Sequence, residues 1–118
     1  MKLEKAPAWL VTLFDALIEG AGGTRKLMFG HPSLFENGHL CAGLFADTMM
    51  VRLAEADRKK LLALKGAKPF APMPGRPMKE YVVLPPSMLE DEEAVQAWLA
   101  KALAYARTLP PKTPKKKR

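Results

Sequence analysis

Hydrophobic positions recur along this chain at two different periods, one typical of helices and one typical of strands. Between residues 7 and 19 the apolar residues are spaced by one, three and four positions, which predicts an amphipathic helix with Trp9 in its buried stripe. Residues 55–65 predict a second helix that opens with acidic side chains and ends at Gly66. Its core-facing residues are predicted to be Leu61, Leu62 and Leu64.

The third and longest helical pattern lies near the C-terminus. Ser87 to Glu90 has the S-x-x-E spacing of a capping box, and acidic residues follow at the helix start, as the helix dipole favours. We therefore expect a helix that closes near Arg107. Its buried stripe is predicted to contain Val95, Trp98, Leu99, Ala102 and Leu103.

Short runs with alternating polarity, or with continuous apolar character, predict strands over residues 25–30, 33–36, 39–46, 49–53 and 79–84. Asn37-Gly38 lies between two of these runs and is typical of a type I′ hairpin turn. Strict alternation over residues 39–46 predicts two sets of side chains on opposite faces. One set is Leu40, Ala42 and Leu44, and the other is Cys41, Gly43 and Phe45.

The order helix, four strands, helix, strand, helix predicts an α+β fold in which helices cover a mostly antiparallel sheet of about five strands. The proline-rich segment 66–78 forbids a helix and most ladder hydrogen bonds. A chain of 118 residues suffices for one core. We expect one domain over residues 1–109 and a flexible tail over residues 110–118.

The positive charge of the chain is concentrated at its end. The net charge is +7, but five of the 19 cations lie in the last seven residues, so the rest carries 14 cations against 12 acids, or +2. The tail is therefore either a solubilising terminus or a weak, salt-sensitive arm for nucleic acid. The cations of this candidate arm are Lys112, Lys115, Lys116, Lys117 and Arg118. The chain lacks a membrane-spanning run and a secretory signal pattern, so we expect a cytoplasmic protein.

Several strings in this order resemble the N-terminal domain of the TfoX/Sxy family. They lie at residues 26–30, 35, 37–38, 42–47, 51–53, 67–70, 73–85, 98–99 and 104–107. The resemblance implies a small α+β fold of the type seen in secretion chaperones and a role in transcription regulation, specifically of competence, exerted through protein partners such as transcriptional regulators. Family members linked to competence carry a further domain, resembling a helix-hairpin-helix module, that this sequence does not include. Direct DNA binding by that domain is therefore not implied.

Reactive or metal-binding combinations are few. His39 and Cys41 are two apart on a strand, and His31 could supply a third ligand, so a small metal-dependent enzyme is one alternative. Against it, Cys41 on a strand is typical of a buried apolar group, and no nucleophile elbow or acid and base pair stands out. The glycines of residues 20–26 end a helix and lead to a strand, which is the reverse of a phosphate loop. We expect no catalysis, no cofactor and no metal.

The proline-rich segment is longer than a simple connection needs, and ordered loops of this kind often bind proteins. Phe70 and Met73 could contact a partner or could fold back onto the sheet, and we favour packing for both. An unpaired sheet edge would also allow a homodimer. The predicted protein-binding residues are Lys68, Phe70, Met73, Arg76 and Lys79.

Overall fold

The computed structural model describes residues 6–19, 21–28, 30–70 and 80–110. Within these ranges, three α-helices and one 3₁₀ helix accompany six strands. The helices are α1 (Ala8–Ile18), α2 (Glu55–Leu62) and α3 (Glu92–Thr108), with the 3₁₀ helix at Pro86–Glu90. The strands are β1 (Thr24–Met28), β2 (His31–Glu36), β3 (His39–Phe45), β4 (Thr48–Arg52), β5 (Lys68–Pro69) and β6 (Tyr81–Val83).

The strands form one antiparallel sheet in the order β1-β2-β3-β4-β6-β5. This arrangement confirms the predicted α+β class. The sheet has six strands where the sequence predicts about five, and the additional strand, β5, takes up two residues of the proline-rich segment. Two residues pair there, because a proline on an edge strand can direct its missing donor away from the sheet.

Apolar side chains cover both faces of the central strands. The helices pack on one face, where Leu10, Phe14, Leu99 and Leu103 join strand residues such as Val51 in the larger cluster. A smaller cluster on the other face contains Leu40, Met50, Phe70 and Val83. Met49, Val51 and Leu53 alternate with Met50 and Arg52 as predicted. None of the described helices is both long and apolar enough to cross a membrane.

A β-bulge in β3 overturns the predicted alternation of that strand. Phe35 pairs with Leu40 and Leu34 pairs with Ala42, so Cys41 has no partner opposite it in β2. The extra residue changes the phase of the strand. Leu40 therefore packs in the smaller cluster, whereas Cys41, Ala42 and Leu44 all lie in the larger one.

Three apolar residues predicted to be buried are exposed instead. Trp9 precedes the buried stripe of α1 by one position, which rotates it about 100° away from Leu10, and it is 58% exposed. Helix α2 ends at Leu62 rather than at residue 65, and of the three leucines predicted to face the core only Leu61 is buried. Leu62 and Leu64 stay exposed, at 39% and 42%. Trp98 is half-buried and packs against the rim of the larger cluster.

The start of α3 also differs from the prediction. Ser87 and Glu90 belong to the 3₁₀ helix, and the cap is Asp91, whose carboxylate accepts a hydrogen bond from the Ala94 amide at 3.2 Å. An aspartate supplies the same acceptor as the expected serine, so the cap has moved along the chain without changing its chemistry.

The Asn37-Gly38 turn between β2 and β3 is confirmed, with φ angles of 57° and 81°. Positive φ at both central residues is what a type I′ turn requires. The Asn37 side-chain amide donates to the Ala106 carbonyl at 3.4 Å, and Arg107 donates to Glu36 at 3.0 Å. The turn therefore fixes the C-terminal part of α3 against one end of the sheet.

Two glycines allow the cost of positive φ to be separated from the cost of a clash. A methyl group on Gly23 (φ +82°) would lie 2.8 Å from the Phe35 carbonyl oxygen, whereas one on Gly30 (φ +81°) would meet nothing within 4 Å. We expect Gly30→Ala to lower the free energy of unfolding by about 1 kcal/mol and Gly23→Ala by about 2–4 kcal/mol. Urea unfolding measures both values. Equal losses would contradict the close approach at Gly23.

Candidate functional site: a polar cluster at the turn end of the sheet

The largest set of interacting polar side chains described here surrounds one carboxylate, that of Glu80. Arg52 Nε donates to its Oε1 at 2.7 Å, and the Tyr105 hydroxyl donates to its Oε2 at 2.8 Å. Arg58 Nη1 lies 4.0 Å from the same Oε2. We refer to Arg52, Arg58, Glu80 and Tyr105, together with His39, as the Glu80 cluster.

Strand pairing brings the members of the cluster together. Arg52 ends β4 opposite Tyr81, the first residue of β6, and the Leu53 amide donates to the Glu80 carbonyl at 3.0 Å. The Arg52 guanidinium lies between two aromatic rings, 5.6 Å from the centre of Tyr81 and 5.8 Å from that of Tyr105. Aromatic faces attract a cation, so the arginine is held by both charge and packing.

His39 connects the cluster to the chain segment that follows α3. Its Nε2 lies 2.7 Å from the Pro110 carbonyl oxygen, and Arg52 Nη1 lies 3.4 Å from its Nδ1. A carbonyl only accepts and a guanidinium only donates, so these two contacts fit the Nε2–H tautomer. His39 therefore acts as a bridge between Arg52 and the end of α3.

Burial and hydrogen bonding shift the pKa values of one carboxyl group and two hydroxyl groups at this site. Burial alone would raise the pKa of Glu80, but hydrogen bonds from Tyr105 and Arg52 keep it below its usual value. Burial and the hydrogen bond to Glu80 raise the pKa of Tyr105, and burial raises that of Tyr81. The carboxylate thus stays ionised and both hydroxyls stay protonated near neutral pH. The geometry suits a structural tie better than proton transfer.

The predicted metal ligands do not converge. Cys41 is fully buried among the core residues beneath the helices, and its thiol donates to the Leu34 carbonyl at 3.3 Å. His31 is buried beside Phe45, with ring centres 5.2 Å apart, whereas His39 belongs to the Glu80 cluster. Within the described ranges no three His, Cys, Asp or Glu residues are placed to hold a metal ion.

The predicted protein-binding residues fall into three groups. Lys68 is exposed on the edge strand β5. Phe70 is buried, in contact with Phe45 at 5.5 Å between ring centres, so it takes the packing role favoured for it. Met73, Arg76 and Lys79 lie outside the described residues, as do all five tail cations.

Sequence reasoning missed Arg52, Glu80 and Tyr105 as an interacting set. Each lies inside one of the strings that carried the family resemblance, but none forms a familiar motif with its neighbours in sequence. The available signal was Arg52 itself, a charge between Val51 and Leu53 on an otherwise apolar strand. A partly buried charge of that kind favours a partner, although periodicity does not say which acid supplies it.

Replacing Glu80 by glutamine tests the cluster. We expect Glu80→Gln to lower the free energy of unfolding by about 1–3 kcal/mol at pH 7, because two hydrogen bonds lose their charged acceptor. The folded-state pKa of Glu80 lies below the ordinary glutamate value of 4.5, so the wild-type advantage exists above that pH and disappears as the pH falls through the folded-state pKa. Urea unfolding across this range measures the difference.

Glu55→Gln is the matched control, because the Glu55 side chain is 73% exposed and its one ion pair among the described residues is with Lys59 on the same helix. We expect it to change stability by less than about 0.5 kcal/mol. A difference between wild type and Glu80→Gln that stays constant down to acidic pH would contradict the ionised cluster.

Cys41 provides a separate test of the metal and nucleophile alternatives. Burial raises the pKa of its thiol to about 12, so we expect folded protein to react with a disulfide reagent at least about a hundredfold more slowly than unfolded chain. Absorbance of the released thiolate gives both rates. Fast labelling in the folded state, or zinc that is lost on Cys41→Ala, would contradict this placement.

One comparison identifies the family of the chain. The sequence model of the TfoX N-terminal domain matches residues 16–106. That range includes all five residues of the Glu80 cluster. No curated protein and no solved structure matches the chain. The match covers most of the 118 residues, and the chain belongs to the TfoX N-terminal domain family.

Proposed function

We propose that this TfoX N-terminal domain is a non-catalytic regulatory module that acts by contacting another protein at the β5 edge of its sheet. The observation that carries the proposal is a depression of about 230 Å³ beside Lys68. Its apolar lining includes Phe45, Pro69, Phe70 and Val83. An apolar depression next to an exposed cation fits a partner that offers an apolar side chain beside an acidic one.

The charge of the neighbouring sequence supports an acidic partner. Residues 68–79 contain the cations Lys68, Arg76 and Lys79 and no acidic residue. Glu80 comes next in sequence, but its carboxylate is already bonded to Arg52 and Tyr105. The positive charge of this segment is therefore not balanced by an acid within it, and a complementary surface would gain attraction and a faster association rate.

The saturated Glu80 cluster supports a role without catalysis. A general acid or base needs a proton that it can exchange near the working pH. In the cluster, the carboxylate accepts two hydrogen bonds and both ring nitrogens of His39 have contacts. The cluster instead fixes the residue at which the chain re-enters the sheet after the proline-rich segment. We propose that the partner belongs to transcription regulation, as the resemblance to competence regulators implies.

Charge reversal at the β5 edge tests this function. The first step is affinity capture with wild-type protein from lysate of the native host, followed by purification of each captured protein. Titration calorimetry with the purified partner then compares wild type, Lys68→Glu and Arg76→Glu. We expect each variant to bind about tenfold more weakly or worse at about 0.15 M salt, because a favourable charge contact becomes repulsive.

Lys60→Glu is the control, since Lys60 is an exposed lysine on α2 and lies outside the depression. It makes the same change in net charge and should leave the affinity within about twofold of wild type. Circular dichroism verifies that all three variants are folded. Unchanged affinity in both Lys68→Glu and Arg76→Glu would overturn the proposed surface.

A further inference from the structure

The two edges of the sheet differ in how well they are protected against pairing with another strand. Edge strand β5 has two residues, one of which is Pro69, and short proline-containing edges pair poorly with other strands. Edge strand β1 has five residues, Thr24–Met28, and none is proline. No described residue pairs with its outer side. The β1 edge therefore keeps a backbone suited to accepting another strand.

The side chains of β1 divide between the two faces of the sheet. Arg25 bonds to Asp15 of α1 at 2.7 Å, which places Arg25 on the helix-covered face. Lys26 lies over the ring of Phe35, 5.3 Å from its centre, and Phe35 packs with the cluster on the other face. Alternation then sets Leu27 on the same face as Arg25. Leu27 is 63% exposed.

Lys26 and Leu27 have different effects on strand pairing at this edge. A lysine on an edge strand is a common protection against pairing with an identical strand. A largely exposed leucine on the same strand gives no such protection, because it offers apolar area to any strand that pairs there. Together they favour a strand that neutralises the lysine and covers the leucine.

Charges near β1 indicate which side chains a strand that pairs with this edge would carry. Asp15 neutralises Arg25, and Arg107 engages Glu36, the only acidic residue of β2, at 3.0 Å. Lys26 has a described contact with an aromatic ring and none with a carboxylate. Among the described residues, the edge thus presents one positive charge without a carboxylate partner, that of Lys26, on the face opposite Leu27.

We propose that the outer edge of β1 binds an extended segment of a partner protein by strand addition. The segment carries an acidic residue beside Lys26 and an apolar residue beside Leu27. These two positions face opposite sides of the sheet, so they are adjacent in the sequence of the segment. Backbone hydrogen bonds supply affinity, and the acidic and apolar pair supplies specificity.

A second copy of this chain fits the edge less well than such a segment. Antiparallel self-pairing centred on Lys26 places each lysine directly opposite its counterpart, and shifting the centre to Leu27 leaves the two lysines diagonal, about 7–8 Å apart. Like charges therefore meet along the seam in both registers. An acidic segment removes this repulsion.

The β1 edge lies at the opposite end of the strand order from β5, so this surface is separate from the one that contains Lys68. The domain can use both surfaces, and an experiment that rejects one proposed surface leaves the other proposal unaffected.

A labelled nonapeptide of alternating glutamate and valine is the test probe, and its binding is followed by fluorescence anisotropy. Two peptides serve as comparisons, one with lysine in place of glutamate and one with proline at the centre. We expect saturable binding of the acidic peptide, about tenfold weaker binding of the basic one and loss of binding with the central proline. Lys26→Glu should reverse the preference between the acidic and basic peptides, whereas Lys60→Glu and Lys68→Glu should not.

Amide hydrogen exchange distinguishes strand addition from attraction to a cationic surface. We expect the acidic peptide to slow exchange at residues 24–28 of wild-type protein and to leave the rest of the sheet unchanged. Absence of saturable binding, a peptide preference that Lys26→Glu leaves unchanged, or protection elsewhere would overturn the proposal. A dimer that dissociates on Leu27→Asp would overturn it as well, because the edge would then belong to a second copy.

Discussion

The ionised carboxylate of Glu80 holds together the elements that meet at the turn end of the sheet. It accepts hydrogen bonds from Arg52 on β4 and from Tyr105 on α3, while the Glu80 backbone carbonyl accepts from Leu53. One residue thus joins the sheet, the last helix and the return of the proline-rich segment. Without it, Arg52 would be a partly buried cation between two tyrosine rings with no acid to compensate for its lost hydration. The cost of an unpaired charge makes the cluster a strong constraint on how these elements meet.

Local patterns predicted the elements of this fold better than they predicted its contacts. Asn37-Gly38 identified the β2–β3 turn because positive φ is a property of those two residues and needs no information from the rest of the chain. Alternation identified the faces of Met49, Val51 and Leu53 for the same reason. Alternation failed in β3, because the bulge at Cys41 arises from pairing with β2 and leaves no local signal. Helix α2 stopped before Leu64 although the leucine spacing continued.

The candidate site was less accessible to sequence reasoning than the fold. Arg52 and Glu80 are 28 positions apart, and Glu80 and Tyr105 are 25 apart, so their meeting depends on β6 being inserted beside β4. Of the residues chosen from the sequence, Lys68 is exposed beside a depression, and Phe70 is buried beneath it. The candidate metal ligands His31, His39 and Cys41 share a short stretch of chain, but the sheet and the bulge distribute them to different environments.

The bulge at Cys41 has a consequence for comparing relatives of this chain. Elsewhere in a strand, losing one residue inverts every side chain beyond the gap. At Cys41 it would not, since Leu40 and Ala42 already point to opposite faces and would become ordinary neighbours in a regular ladder. Homologues one residue shorter in this hairpin can therefore keep the same inward and outward residues. When such a homologue is aligned with this chain, the gap belongs opposite Cys41. Sequence similarity alone does not identify that position.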